Sequence, residues 1–302
     1  GASDVAGADL AGAEAVSARR LEARFEEFEG HRSVVVRWYP SATPRAWALF
    51  VPAFGDEMNQ MRRMVRLAAE ALAERGVASC IFDLYGTGDS SADFADATVE
   101  RWLDDCRQMV DRLDAQDGAD ATPLVLIGCR LGAALAARVS HHLARRPAAL
   151  VAWAPVLQGR QQLSSMLRAA SVARMQRPDD AGADPKALWA QGRIATVAGY
   201  PVSPVLAGQL EALDATAVPA VTSAVLFDLR TVVDDRGAVT PSDAVTRRAA
   251  AWTDQGVSCS VHAVAGPAFW NVADLVDVPE LVDATAEVLV QVIAAAAHEG
   301  HS

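Results

Sequence analysis

The residues whose types and spacing could do chemistry lie in Gly128-Cys129-Arg130-Leu131-Gly132. An apolar run from Pro123, PLVLIG, precedes this stretch and an Ala-rich segment follows it. Two glycines around a central residue at that junction have the spacing of a nucleophile elbow, a strand-to-helix turn that presents one strained side chain to a pocket. A serine or cysteine at the centre would attack an acyl carbon. The centre is Arg130, whose guanidinium stays protonated and has no lone pair to offer. Arg130 can hold an anion or polarise a carbonyl, but it cannot form a covalent intermediate.

A serine mechanism also needs a base, and the chain has six histidines. His31 falls in an expected edge hairpin, and His298 and His301 belong to the C-terminal tail. His141 and His142 follow Arg130 by eleven and twelve residues, roughly 16 Å along a helix, too far to serve the elbow. His262 is the one conceivable base, a few residues short of the end of the last expected strand. Cys129 stands one position before the apex, where the side chain points into the fold and no activating group is identifiable. Nothing around Ser90, Ser164 or Ser165 singles out a nucleophile.

The elements that would position this turn alternate. LEARFEEFE and SVVVRWY flank Gly30 and predict an antiparallel hairpin at a sheet edge. AWALFV, VASCIFDL, PLVLIG and the run from Ala148 to Trp153 predict buried strands. Helical periodicity separates the first three, with Met61, Met64, Val65, Leu67, Ala68, Leu72 and Ala73 on one face and Gly76 as a stop, and a helix to about Arg145 separates the last two. Strand, helix, strand with short loops is the pattern of a mostly parallel, doubly wound α/β sheet. Together with the elbow it predicts an α/β-hydrolase fold.

Residues 1–18 read as a frayed arm, 19–154 as the first part of the core, 155–217 as an inserted helical cap and 218–302 as the rest of the core. Four proline positions (178, 185, 201 and 204) and the sheer length of 155–217 argue against a simple crossover.

Ligands in such sheets bind beyond the carboxyl ends of the strands. The loop after Val51 offers Phe54, Glu57 and Asn59 beside an oxyanion-type amide, and Leu131 opens the elbow helix with free backbone N–H groups. Asp234, with Asp235, follows the strand AVLFDL at the position of a triad acid; a solvated turn accounts for both equally simply. After the last strand, where the catalytic histidine would stand, the residues are Phe269 and Trp270, an aromatic wall for a ligand or core packing. Gln161 and Gln162 reach in from the cap.

A net charge of −11 argues against a nucleic-acid binder, which needs clustered Lys and Arg. There is no uncharged apolar run of about 18 residues and no basic-then-apolar leader, so the expectation is a cytoplasmic protein without a membrane span. The four cysteines lack metal-ligand spacing, and neither a metal nor an organic cofactor is expected. The expected partner is a small-molecule or carrier-bound acyl ligand; a homodimer is the assembly left open.

Five segments, VPAFGDEMNQMRR (51–63), DLYGTGDSSADFAD (83–96), GCRLGAA (128–134), WAPVLQGRQQL (153–163) and GPAFW (266–270), resemble those of the exosortase A system-associated hydrolases of the second type. The resemblance implies an accessory protein of exopolysaccharide loci in which arginine at the elbow is a feature of the group. It implies no substrate. Arg130 is left with two roles, an anion or acyl site with Glu57 as its catalytic companion, or a structural pair with Glu57 or Asp56. Three functions follow: an acyl ester or thioester enzyme without a triad, a pseudoenzyme binding an anionic acyl or sugar-phosphate ligand, or a scaffold.

Overall fold

The computed structural model describes residues 20–117, 122–176, 183–231, 238–272, 274 and 276–299. The expected arm at 1–18 and the pair Asp234 and Asp235 lie outside these residues. The chain opens with the predicted hairpin, β1 (Arg20–Phe28) and β2 (His31–Tyr39), turned at Gly30 with φ 78°. Then come β3 (Ala46–Val51), α1 (Asp56–Glu74), β4 (Val77–Phe82), α2 (Val99–Asp117), β5 (Leu124–Cys129), α3 (Gly132–Ser140) and β6 (Ala149–Trp153). The core resumes with β9 (Ser223–Arg230), α7 (Asp243–Thr253), β10 (Ser258–Ala265) and α8 (Pro279–Glu299).

Eight strands form one sheet in the order β1-β2-β4-β3-β5-β6-β9-β10. Pairings up to β4 are antiparallel, and those beyond it are parallel. The central strands are buried at every position because both faces are covered. Trp47, Leu49 and Leu126 pack with Trp102 and Met109 of α2 and with α3, while Phe50, Ile127 and Phe227 pack with Met64 and Leu72 of α1 and Leu281 and Leu289 of α8.

Two expectations are corrected. The elbow helix ends at Ser140, not near Arg145, because the Ser140 hydroxyl turns back on Ala137 O (2.6 Å) and accepts Ala220 N–H (2.9 Å). Between β6 and β9, α4 (Gly159–Gln176), α5 (Pro185–Ala190) and α6 (Pro204–Ala212) are accompanied by a hairpin of β7 (Ala195–Val197) and β8 (Tyr200–Val202). Its turn has positive φ at both central residues, Ala198 (49°) and Gly199 (85°), the geometry of a two-residue hairpin turn. Ala-Gly is a weak turn signal beside Asn-Gly, so the sequence conceals it.

Under the β1–β2 turn, His31 Nε2 lies 3.7 Å from Asp105 Oδ2, with both side chains buried. The rings of Phe28 and Tyr85 flank His31, and Asp105 Oδ2 accepts Tyr85 N–H at 2.7 Å. Burial, with Asp104 adding repulsion, pushes the Asp105 carboxyl up to about 7 against the attraction of Arg101 and Arg112, and burial lowers His31. A carboxyl whose folded pKa exceeds its unfolded one holds a proton that the unfolded chain has released, so stability falls as pH rises from about 4 to about 7. Asp105→Asn keeps an acceptor for Tyr85 and removes the buried charge. It is expected to be more stable than the parent at pH 8, by no more than ~4 kcal/mol, with the difference vanishing only below about pH 4. Urea unfolding at the two pH values measures this, and a variant less stable at pH 8 would refute it.

Candidate functional site

The elbow is built by close approach. Val51 of β3 is in register with Gly128 of β5, which brings the loop after β3 against the start of α3. A Cβ on Gly132 would collide with Val51 O and Pro52 O, and one on Gly128 with Ala133 Cα. Between the two glycines Arg130 is left-handed at φ 53°, a conformation that costs an L-residue roughly 1–2 kcal/mol. The backbone fixes it there: Arg130 N–H donates to Trp153 O (3.0 Å), and Arg130 O accepts from Ala133 N–H and Val156 N–H (both 3.1 Å). The turn therefore has the strain and fixation of a nucleophile elbow while displaying a guanidinium.

Arg130 is 19% exposed, and its head is held on three sides. Nε and Nη2 donate to Glu57 Oε1 at 3.3 and 3.1 Å, and Nη1 donates to Ala154 O at 3.0 Å. The Trp270 ring lies against it, 4.6 Å from Cζ to the ring centroid, in cation–π geometry. Of the two acidic neighbours offered by the sequence, Glu57 takes the arginine, and Asp56 instead accepts the Tyr200 hydroxyl at 2.9 Å. Three of the five guanidinium N–H groups are thereby used. The other two donate to no acceptor among the described residues. Glu57 Oε2 is buried and makes no hydrogen bond among the described residues.

The remaining candidates are not gathered around Arg130. Asn59 lines a cavity of about 590 Å³ with Met58, Arg62, Thr87 and Tyr200, on a face of α1 turned away from Glu57. Gln161 lines a separate cavity of about 150 Å³ with Gln158, Thr216 and Arg248. Gln162 is buried. The side chains of Phe54, Cys129, Leu131 and Phe269 serve the core: Phe54 packs on Trp102 at 5.1 Å between centroids, and Cys129 and Phe269 lie in the layer under α1 and α8. For Cys129 the reason is the pleat: the last residue of β5 faces the layer opposite to its neighbours, and burial pushes its thiol well up, away from the thiolate. Leu131 retains only its backbone N–H for a ligand.

His262 is on β10, three strands from β5 and roughly 14 Å across the sheet. Its Nε2 meets Ser260 Oγ at 3.2 Å, and its ring stacks near Phe227. Where a base would follow β10, Trp270 stacks on the arginine. The DLYGTGD motif is also structural: Asp83 accepts Arg62 Nη2 (2.9 Å) and Asp89 N–H (2.8 Å), closing the loop after β4.

A mostly parallel sheet covered on both faces, with a strained elbow between β5 and α3, defines an α/β-hydrolase fold. A family model described as serine aminopeptidase, S33, matches residues 42–184, which include the elbow but neither β9 nor β10. Among solved structures, Est1E of Butyrivibrio proteoclasticus with bound ferulic acid superposes with a TM-score of 0.62 at 18% identity, over 90% of this chain and 100% of that one. A soluble variant of monoglyceride lipase from Saccharomyces cerevisiae, in complex with a substrate analogue, gives 0.59 at 13% identity over 93% and 97%. Proline iminopeptidase of Mycobacterium smegmatis gives 0.54 at 16% over 91% and 100%. At these identities the likeness is one of fold. No curated protein matches the chain in sequence. Among the described residues no helix is long and apolar enough to cross a membrane.

Proposed function

We propose that this protein recognises an acyl ester or thioester at Arg130 on a hydrolase scaffold that has given up covalent serine catalysis. The observation that carries this reading is the occupied elbow: an arginine in the strained apex position, braced by Glu57, Ala154 and Trp270, with two N–H donors unused. Glu57 neutralises the cation, so the unused donors suit a neutral carbonyl oxygen better than a free phosphate or carboxylate, which would have to displace Glu57. Leu131 N–H, at the positive end of α3, supplements them. The resemblance to exosortase-associated hydrolases supports a cytoplasmic place beside exopolysaccharide synthesis, with the segment at 155–217 acting as a cap over the ligand.

A second reading, hydrolysis or acyl transfer without a triad, is favoured by the same two donors. Water or a carrier thiol would attack the carbonyl carbon, the oxyanion would form against Arg130 and Leu131 N–H, and the alkoxide or thiolate would leave with the proton released by the attacking group. Burial of Glu57 Oε2 weighs against it, because that carboxylate oxygen is closed to an attacking water.

Incubation with a fluorophosphonate probe, p-nitrophenyl esters, acyl-CoA and acyl-carrier thioesters tests both. The expected result is no covalent labelling, no turnover above buffer, and a melting temperature raised by acyl thioester. Turnover lost in Arg130→Ala would establish the second reading; labelling at any serine would overturn both.

A further inference from the structure

Strand β1 ends the sheet, and among the described residues no strand lies beside its outer row of backbone N–H and C=O groups. Its nine residues contain neither proline nor glycine, and its charges alternate in sign rather than repelling a second copy. One face of the hairpin is an apolar band. Leu21 is opposite Trp38, Ala23 opposite Val36 and Phe25 opposite Val34, and Val36 is followed on β4 by Ile81. The band faces the α1 side of the sheet. Trp38 and Ile81 pack at its inner end, but Leu21 is 62% and Phe25 54% exposed at its outer end.

The other face of β1 carries Arg20, Glu22, Arg24 and Glu26 in alternating sign. Consider a second copy of β1 laid antiparallel with a two-fold axis through Ala23. Arg20 then meets Glu26, Leu21 meets Phe25, Glu22 meets Arg24, and the small Ala23 meets itself. Charges pair with charges on one face and apolar side chains with apolar ones on the other. Moving the axis one residue, to Glu22 or Arg24, sets like charges against each other, and placing it between residues sets Arg20 against Phe25. Axes at Leu21 or Phe25 also oppose unlike charges, but the one at Leu21 pairs only Arg20 to Glu22 and the one at Phe25 sets Ala23 against Glu27 and Glu22 against Phe28, so the Ala23 register has the longest self-complementary overlap. Within the chain Glu26 is held by Arg37 and Arg112, whereas Glu22 and Arg24 pair with each other on the open edge at 3.0 Å, a weak surface contact that the Ala23 register exchanges for the same pair formed twice across the axis.

We propose that β1 is a homodimerisation edge, on which a second copy of this chain pairs antiparallel about Ala23 and joins the two eight-stranded sheets into one. The contact is isologous, so it closes at two copies, and it covers Leu21 and Phe25 with Phe25 and Leu21 of the other copy.

Sedimentation equilibrium on the full chain tests this. The parent is expected to be a dimer at micromolar concentration. Glu22→Arg and Arg24→Glu, at positions that leave the core untouched, are each expected to weaken dimerisation at least tenfold while melting as the parent does. Mixing those two variants is expected to restore a dimer, since each then faces opposite charges, and the double variant E22R/R24E is expected to dimerise by itself. Ala23→Cys is expected to form a disulfide-linked dimer on oxidation. A parent that stays monomeric at 100 μM, as it would if residues 1–19 covered the band, overturns the proposal. So does a dimer indifferent to either single reversal, or a mixture that stays monomeric.

Discussion

Replacement of Gly132 by alanine is expected to abolish cooperative folding. The added Cβ would fall on Val51 O and lie 2.6 Å from Pro52 O, both backbone atoms at the end of a strand buried in the middle of the sheet. A flexible side chain could turn aside, but β3 is held by β4 and β5 and has nowhere to go. Relief would require α3 to back out of the core, opening voids around Leu135 and Val139, and core disruptions of that size cost about 3–5 kcal/mol or more. Such a loss is comparable with the whole stability of many domains. The control is Gly208→Ala. That glycine lies within α6, and a Cβ there would meet nothing within 4 Å. It should be neutral or stabilising by up to about 1 kcal/mol. Expression yield and urea unfolding of the two variants decide the matter, and a soluble Gly132→Ala protein within 1 kcal/mol of the parent would contradict the close-approach account.

Arg130→Ala is the second large effect, and it reads stability and ligand together. Removing the guanidinium strands the Glu57 carboxylate, which is 18% exposed and has one oxygen already without a partner. It also empties the space against Trp270 and leaves an alanine at φ 53°. Breaking a fully buried ion pair costs about 3–5 kcal/mol; for this partly exposed pair about 2–3 kcal/mol is expected. Arg130→Lys should recover only part of that, since an ammonium cannot reproduce the Nε and Nη2 fork on Glu57 together with the Nη1 bond to Ala154. Removing both partners, Arg130→Ala with Glu57→Ala, should cost less than the sum of the two single changes, and a double-mutant cycle in urea measures the coupling. Affinity for an acyl thioester is expected to fall at least tenfold in Arg130→Ala. Unchanged affinity would remove Arg130 from the ligand site while leaving its structural role intact.

The chain displays much of this without a structure. Gly128 and Gly132 around a central residue specify an elbow because only glycine tolerates the backbone contacts on either side. The apolar runs that become β3 to β6 are buried on both faces and so read as continuous rather than alternating strands. The position after β10 lacks a histidine, which is a matter of composition alone. The β7–β8 hairpin is not legible in the sequence because Ala198-Gly199 is a weak turn signal, nor is the early end of α3, where Ser140 bonds to Ala220, 80 residues away.

What the sequence by itself determined is therefore local: the strand-turn-helix at Arg130, the alternation around it, and the absence of a serine and a histidine from the positions that need them. What Arg130 touches was decided only by the tertiary structure. Glu57 is 73 positions away, and Trp270 reaches the guanidinium only because β10 and the loop after β3 end at the same edge of the sheet. The same packing sends Asn59 and Gln161 into separate cavities and turns Cys129 and Phe269 inward. Spacing along a chain fixes periodicity and backbone conformation; which distant side chains meet depends on strand register and on how the helices sit over the sheet.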